Sequence, residues 1–348
     1  MQKIKVNRVE KVNKVKQHKQ SYIIHLFMQS FTALSAIFEE KFNVRHFPEH
    51  TKTLYDPAQY ILGLGGKRIR PAAVYMANEL FGETDVDTFN AAAAIELFHN
   101  FSLIHDDIMD KAPLRRGQQT VHEKYGENTA LLAGDVMFVT AYEYLSKIKP
   151  LYLPKVVAIF NKTAKEVCEG QQLDMDFEKQ ACVSLDAYVS MISLKTSVLL
   201  GSSLQTGAIL GGAGLGNQQH LYAFGKNLGI AFQVQDDYLD AFGNPEKFGK
   251  QIGGDIIANK KTFLMIHALE VATEIQKKEL NNLMNNTVAD KVEKVLQIFS
   301  DCKVEAWATA LKEKYYDVAM KHLEDVAVMN NRKTEVKNLA EYILQRES

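Results

Sequence analysis

Residues 91–110 read "AAAAIELFHNFSLIHDDIMD". Apolar side chains recur at three- and four-residue spacing, the period of a well-buried helix, and Asp87 or Thr88 just upstream would cap it. The run ends in three carboxylates, Asp106, Asp107 and Asp110. Spacings of three and four put these groups on one helical face. Like charges in apolar surroundings drive carboxyl pKa values up unless positive charge sits among them. A divalent cation is the natural remedy, and all-oxygen, acid-rich ligation suits Mg²⁺. About 130 residues later "FQVQDDYLD" (232–240) repeats the pattern with Asp236, Asp237 and Asp240. One such triad could be a solvated acidic patch. Two, each embedded in apolar sequence, point to a working site. Facing each other, the six carboxylates can hold several metals around one polyphosphate.

The helical period extends outward from this stretch over nearly the whole chain after residue 28, for example in "VEKVLQIF" (292–299). All seven prolines lie at or before Pro245, so the last hundred residues lack a proline breaker. Alternating strand-like runs are scarce, and no solenoid repeat is present. The expected fold is all-α: a single-domain bundle of about ten helices around a central cavity, spanning residues 28–348. Residues 1–20 carry seven Lys/Arg and one acid. Residues 1–27 therefore read as a basic extension, either a solvated tail or a non-native segment, because a chain starting at Met28 would enter an amphipathic helix directly.

Of the 348 residues, 46% are apolar and 24% charged, an ordinary globular balance. A net charge of -1 gives no global attraction to nucleic acid or anionic membrane. Residues 22–38 are the most apolar run, but His25, Gln29, Ser30 and Ser35 interrupt it. It is shorter and more polar than a membrane span, and no small-x-small cleavage site follows, so a core helix is expected. Three widely spaced cysteines (Cys168, Cys182 and Cys302) suggest neither a disulfide framework nor a zinc site. They are expected to be packing residues in a reducing, cytoplasmic setting.

Cations flank the acids. In "GLGGKRIRP" (63–71), glycines precede Lys67, Arg68 and Arg70, with no Walker pattern. "RRGQQTVH" (115–122) brings Arg115 and Arg116 soon after the first triad, with guanidinium forks suited to phosphate. "SLKTS" sets Lys195 and Thr196 in an apolar helix, where a lone lysine is unfavourable. "FGKQIGGDIIANKKT" supplies Lys250, Lys260 and Lys261 after the second triad. Acids would hold Mg²⁺, Mg²⁺ would hold phosphate, and Lys and Arg would cover the remaining oxygens. "GAGLG" (212–216) follows no strand and reads as an interhelical turn.

Together these marks, with "GQQLD" (170–174), resemble the trans-isoprenyl diphosphate synthases, the farnesyl and geranylgeranyl diphosphate synthase family, in order across residues 63–262. The resemblance implies an Mg²⁺-dependent prenyltransferase, a homodimer, that joins isopentenyl diphosphate to dimethylallyl, geranyl or farnesyl diphosphate. By that likeness Asp106 and Asp110, with Asp107 nearby, and Asp236, supported by Asp237 and Asp240, form the motifs that hold three Mg²⁺. Arg115, Lys195, Gln233, Lys250 and Lys260 match the allylic diphosphate contacts. Lys67, Arg70, His99 and Arg116 match the isopentenyl diphosphate pocket, and Gln171 and Asp174 match supporting residues near the metal. Thr196, Gln233 and the Lys195 carbonyl are candidates to face an allylic cation. Gln119, where the family often has proline, touches no ligand.

Product length is expected to turn on Phe101 and Ser102, five and four residues before Asp106. Ser102 lies about 40° from Asp106 on a helical wheel and Phe101 about 140° away. One aromatic without an insertion in the Asp motif resembles C20 synthases, so geranylgeranyl diphosphate is the expected product. Farnesyl diphosphate comes next, then longer chains. A class I terpene cyclase or a non-catalytic subunit of a heteromeric synthase is disfavoured by two intact Asp triads.

Overall fold

The computed structural model describes residues 28–180, 182–243, 253–286 and 288–344. Among them are sixteen α-helical segments, one π turn and a two-residue hairpin. The chain is therefore all-α, and the helices outnumber ten because several are only one or two turns long. The basic extension 1–27 and Lys250 lie outside the described residues.

The first half runs through α1 (Phe31–Phe42), α2 (Lys52–Gly63), α3 (Ile69–Glu79) and α4 (Val86–Met109). The hairpin β1 (Leu114–Arg115) and β2 (Gln118–Gln119) follows, then α5 (Val121–Tyr125), α6 (Glu127–Leu145) and α7 (Leu153–Lys179). After α8 (Leu185–Ile192) a π turn (Ser193–Ser197) leads into α9 (Val198–Leu210) and α10 (Leu215–Phe242). The remainder is α11 (Gly254–Ile257), α12 (Phe263–Val271), α13 (Glu274–Asn285), α14 (Lys291–Asp301), α15 (Val304–Glu324) and α16 (Asn330–Leu344). "GAGLG" forms the turn from α9 into α10.

Helix α4 starts earlier than the sequence suggested. Asp85, not Asp87 or Thr88, is the cap: its carboxylate accepts from the amides of both those residues, and Thr88 returns a bond to the Asp85 amide. Such a capping box satisfies amides that the first turn otherwise leaves unpaired. Helices α4 and α9 are the most enclosed, with Ala91–Ala94 inaccessible and almost every α9 side chain buried. Position 207 lets α9 lie on α3, because a Cβ there would come within 2.1 Å of the Val74 carbonyl.

Two hydrophobic clusters form. One gathers α1–α6, α9 and α16; the other gathers α8 and α11–α14. Helices α7, α10 and α15 contribute to both, and the site lies along α7 and α10. No described helix is long and apolar enough to cross a membrane. The cysteines correct an expectation: all three are free, but Cys168 and Cys182 are exposed rather than packed.

Candidate active site

Two adjoining hollows carry the predicted residues. The larger, about 890 Å³, is lined by a cationic group, Lys67, Arg70, His99, Arg115 and Arg116, and also by Phe101 and Ser102. The smaller, about 250 Å³, is lined by seven carboxylates (Asp110, Asp174, Glu178, Asp236, Asp237, Asp240 and Asp255) against three ammonium groups (Lys195, Lys260 and Lys261). Lys195, Thr196, Gln233 and Asp236 line both hollows. Cationic and anionic halves thus meet along one wall.

The two Asp triads divide their labour in the same way. Asp106 lies on the cavity wall at the end of α4, and Asp110 is the residue that closes the helix. Asp107 turns inward and is only 2% exposed; its two oxygens accept from Arg115 Nε and Nη2 at 2.8 and 2.7 Å. On α10, Asp236 and Asp240 line the acidic hollow. Asp237 also borders it but is 6% exposed, accepting from Tyr188 Oη at 2.5 Å and Gln233 Nε2 at 2.9 Å. The family likeness sets Asp107 beside Asp106 and Asp110, and gives Asp237 and Asp240 the same supporting part. The structure separates Asp107 and Asp237 as the inward-held members, since one residue further along a helix rotates the side chain by about 100°.

The electrostatics follow from this crowding. Burial, reinforced by Asp106, raises the Asp110 carboxyl, although Lys195 and Lys260 oppose the rise. Burial and Asp255 push Asp237 up to about 8, against the bonds from Tyr188 and Gln233. Carboxylates raised in this way lack enough positive charge, and their all-oxygen donor set fits Mg²⁺. Burial also works against the Lys195 ammonium. It is outweighed by Asp106 at 3.1 Å and Asp174 at 2.6 Å, which hold Lys195 firmly charged. Lys260 stands 3.6 Å from Asp255. Lys261 instead donates to the carbonyls of Phe177, Glu178 and Gln180, closing the end of α7.

At the cationic end, Arg70 Nη1 donates to His99 Nε2 at 3.1 Å, which makes the imidazole an acceptor there. Burial holds His99 well below the usual histidine range, and Arg70, Arg116 and Arg115 push the same way. The buried Nε of Arg70 has no hydrogen-bond partner, an unmet donor that suits an anion. Arg116 adopts a left-handed backbone (φ 53°) at the hairpin tip and donates to the Gly65 carbonyl. Arg68 leaves this group: it is buried between Glu39 (2.6 Å) and Glu96 and serves the fold. Gln171 lines the larger cavity with its buried Nε2 unpartnered.

The apolar end is aromatic. Phe101 stacks on Phe138 of α6 (centroids 4.9 Å, planes 14° apart) and meets Phe98, which packs on Phe160 of α7. The wheel set Phe101 on a flank, yet it lines the cavity together with Asp106. Sequence reasoning missed Phe138, Phe160 and Tyr188, which carry no local signal. Asp255, in the lysine-bearing stretch that follows the second triad, joins the acidic lining as well.

Comparison with known proteins agrees with this geometry. Residues 51–302 match the polyprenyl synthetase family. A geranylgeranyl diphosphate synthase of Methanosarcina mazei is 38% identical over 296 residues, covering 84% of this chain and 90% of that one. One from Saccharolobus solfataricus is 37% identical over 313 residues, covering 88% and 94%. The crystal structure of a geranylgeranyl pyrophosphate synthase superposes with a TM-score of 0.87 at 41% identity, covering 92% of this chain and all of that one.

Proposed function

The chain belongs to the polyprenyl synthetase family and is a trans-prenyltransferase, and from that premise we propose that it condenses isopentenyl diphosphate with allylic diphosphates up to farnesyl diphosphate, releasing geranylgeranyl diphosphate. The observation that carries this reading is the shared wall of the two hollows. Lys195, Thr196, Gln233 and Asp236 border the acidic hollow on one side and the long cavity on the other. A diphosphate seated among the acids would project its hydrocarbon toward Phe101.

Asp106, Asp110, Asp236 and Asp240 would hold Mg²⁺, with Asp107 and Asp237 supporting them. Bound there, Mg²⁺ would neutralise the diphosphate charge and stabilise it as a leaving group. Arg115, Lys195 and Lys260 bind the allylic diphosphate alongside, together with Lys250. Their fixed charges act on negative charge as it develops at the departing oxygen. Thr196 and Gln233 turn oxygen dipoles toward the allylic carbon as it becomes cationic; their oxygens stand 3.5 Å apart. Lys67, Arg70, His99 and Arg116 bind isopentenyl diphosphate without metal, which fits the scarcity of acids at that end. Its double bond attacks the allylic carbon, and the released diphosphate takes the proton. The apolar walls exclude water, which would otherwise give an alcohol.

The stacked Phe101–Phe138 pair supports a C20 product by closing the cavity below the acids. Incubation with isopentenyl diphosphate, Mg²⁺ and each allylic diphosphate, followed by product sizing, tests the proposal. A C20 product that is not extended further is expected. Products of C15 only, or of C25 and longer, would overturn the assigned length, and no condensation would overturn the activity.

A further inference from the structure

We propose that His220, His322 and Asp325 form a binding site for a zinc-type transition-metal dication, separate from the acidic hollow. His220 lies on α10; His322 lies on the last turn of α15, and Asp325 closes that helix. Their ligand atoms all fall within 4.8 Å of one another. The two Nδ1 atoms face each other at 3.3 Å, and Asp325 Oδ2 is 4.0 Å from His220 Nδ1. Two imidazole ligands on a tetrahedral zinc, each at about 2.0–2.1 Å, stand about 3.3 Å apart. The histidine pair already has that spacing, and the exposed carboxylate needs only a small rotation to join it.

The donor chemistry differs from that of the acidic hollow. Two imidazoles and one carboxylate favour zinc, cobalt, nickel or copper, whereas oxygen-only ligation favours Mg²⁺. His322 and Asp325 are three apart and share one side of α15. The carbonyl end of that helix adds negative potential, which favours a cation. The frame is fixed, because Asn217 in the first turn of α10 accepts from the Ala327 amide at 2.8 Å just beyond Asp325. Three protein ligands leave one coordination position to water, so the ion would be exchangeable. His220 precedes Asp236 by sixteen residues on one helix, about 24 Å along its axis. An ion here would clip α15 to the helix that carries the second Asp triad.

Cobalt(II) titration of the untagged full chain in excess Mg²⁺, followed by visible absorption and zinc competition, tests the site. One equivalent with a tetrahedral cobalt spectrum is expected in the parent protein and in Asp236→Asn. His220→Ala and His322→Ala should each weaken binding by about tenfold or more. Zinc should raise the Tm of the parent chain but not of His220→Ala, whose Mg²⁺-dependent condensation stays unchanged. Binding that survives both histidine substitutions, or that vanishes in Asp236→Asn, overturns the proposal, as does the absence of binding.

Discussion

Gly170 and Lys195 stand backbone against backbone. A Cβ on Gly170 would lie 2.2 Å from the Lys195 amide nitrogen and 2.6 Å from its Cα, so α7 reaches the π turn only because position 170 has no side chain. One turn further along α7, Asp174 takes the Lys195 ammonium at 2.6 Å. A single helix therefore grips both ends of the residue that joins the two hollows. The π turn fits this role, since such turns recur where a helix is bent to a functional purpose.

Gly170→Ala should push the π turn away from α7. Overpacking of this kind costs about 1–3 kcal/mol, visible as a lowered Tm. Measured below that Tm, turnover should fall by about a hundredfold, because displacement of a positioning group by an ångström is felt strongly in the rate. Circular dichroism and single-turnover condensation assays check both. A folded Gly170→Ala protein with parental turnover would show that Lys195 does not depend on this contact.

Asp106 and Asp107 should respond to substitution in different ways. Asp106→Asn removes one charge from a crowded wall, where its presence helps to raise Asp110. Stability should change little, because the repulsion relieved at Asp110 is set against the lost ion pairs with Lys195 and Arg115, while condensation falls by about a hundredfold or more through the loss of a metal contact. Asp107→Asn takes a buried partner from Arg115, whose own side chain is partly exposed, so about 1–3 kcal/mol of stability should be lost. Paired thermal melts and rates separate the two. Equal stability losses would deny the inward and outward division of the triad.

The division was illegible in the sequence for a physical reason. Spacing shows that acids share a helix, but the partner that turns one inward comes from elsewhere. Arg115 reaches Asp107 across the hairpin, and Tyr188 reaches Asp237 from α8. The all-α class was readable because the apolar period is long and prolines stop at Pro245. The start of α4 lies two or three residues before the expected cap, since Asp85, Asp87 and Thr88 are all good caps and only the bonds choose. The aromatic floor needed the packing of α4, α6 and α7, which no local pattern announces.

The share of stability that rests on His46 should weaken as pH falls below about 6.5, the ordinary histidine value, while the raised carboxyls of Asp237 and Asp110 act in the opposite sense. His46 Nε2 donates to the Phe42 carbonyl at 2.7 Å, which leaves Nδ1 to accept from Tyr144 Oη at 2.9 Å. Burial lowers its pKa, and Arg68 and Lys147 act in the same direction, although the Phe42 bond opposes them. The unfolded chain therefore binds a proton first on acidification. The contribution is complete above the unfolded value of 6.5 and is lost as pH falls toward the folded one. In thermal melts from pH 8 to 5, the Tm of the parent chain should fall relative to that of His46→Gln. Parallel curves would exclude His46 as a source of the acid sensitivity.

Product length should change in two steps. Phe101 lines the cavity and is stacked on Phe138, which stands behind it on α6. Phe101→Ala removes the ring that lines the cavity and leaves the second, so the chain can extend past C20 but meets Phe138. Products of about one or two further C5 units are expected, with ionisation chemistry intact because no diphosphate contact is touched. Truncating both rings opens the space toward Phe160 and should give a broader, longer distribution. The half-buried position limits the stability cost of Phe101→Ala to less than the roughly 3–5 kcal/mol of a fully buried Phe→Ala change. Chromatographic sizing after reaction with farnesyl diphosphate reads the outcome. An unchanged C20 product from Phe101→Ala would move the floor to another side chain, and a double variant no longer than the single one would remove Phe138 from the boundary.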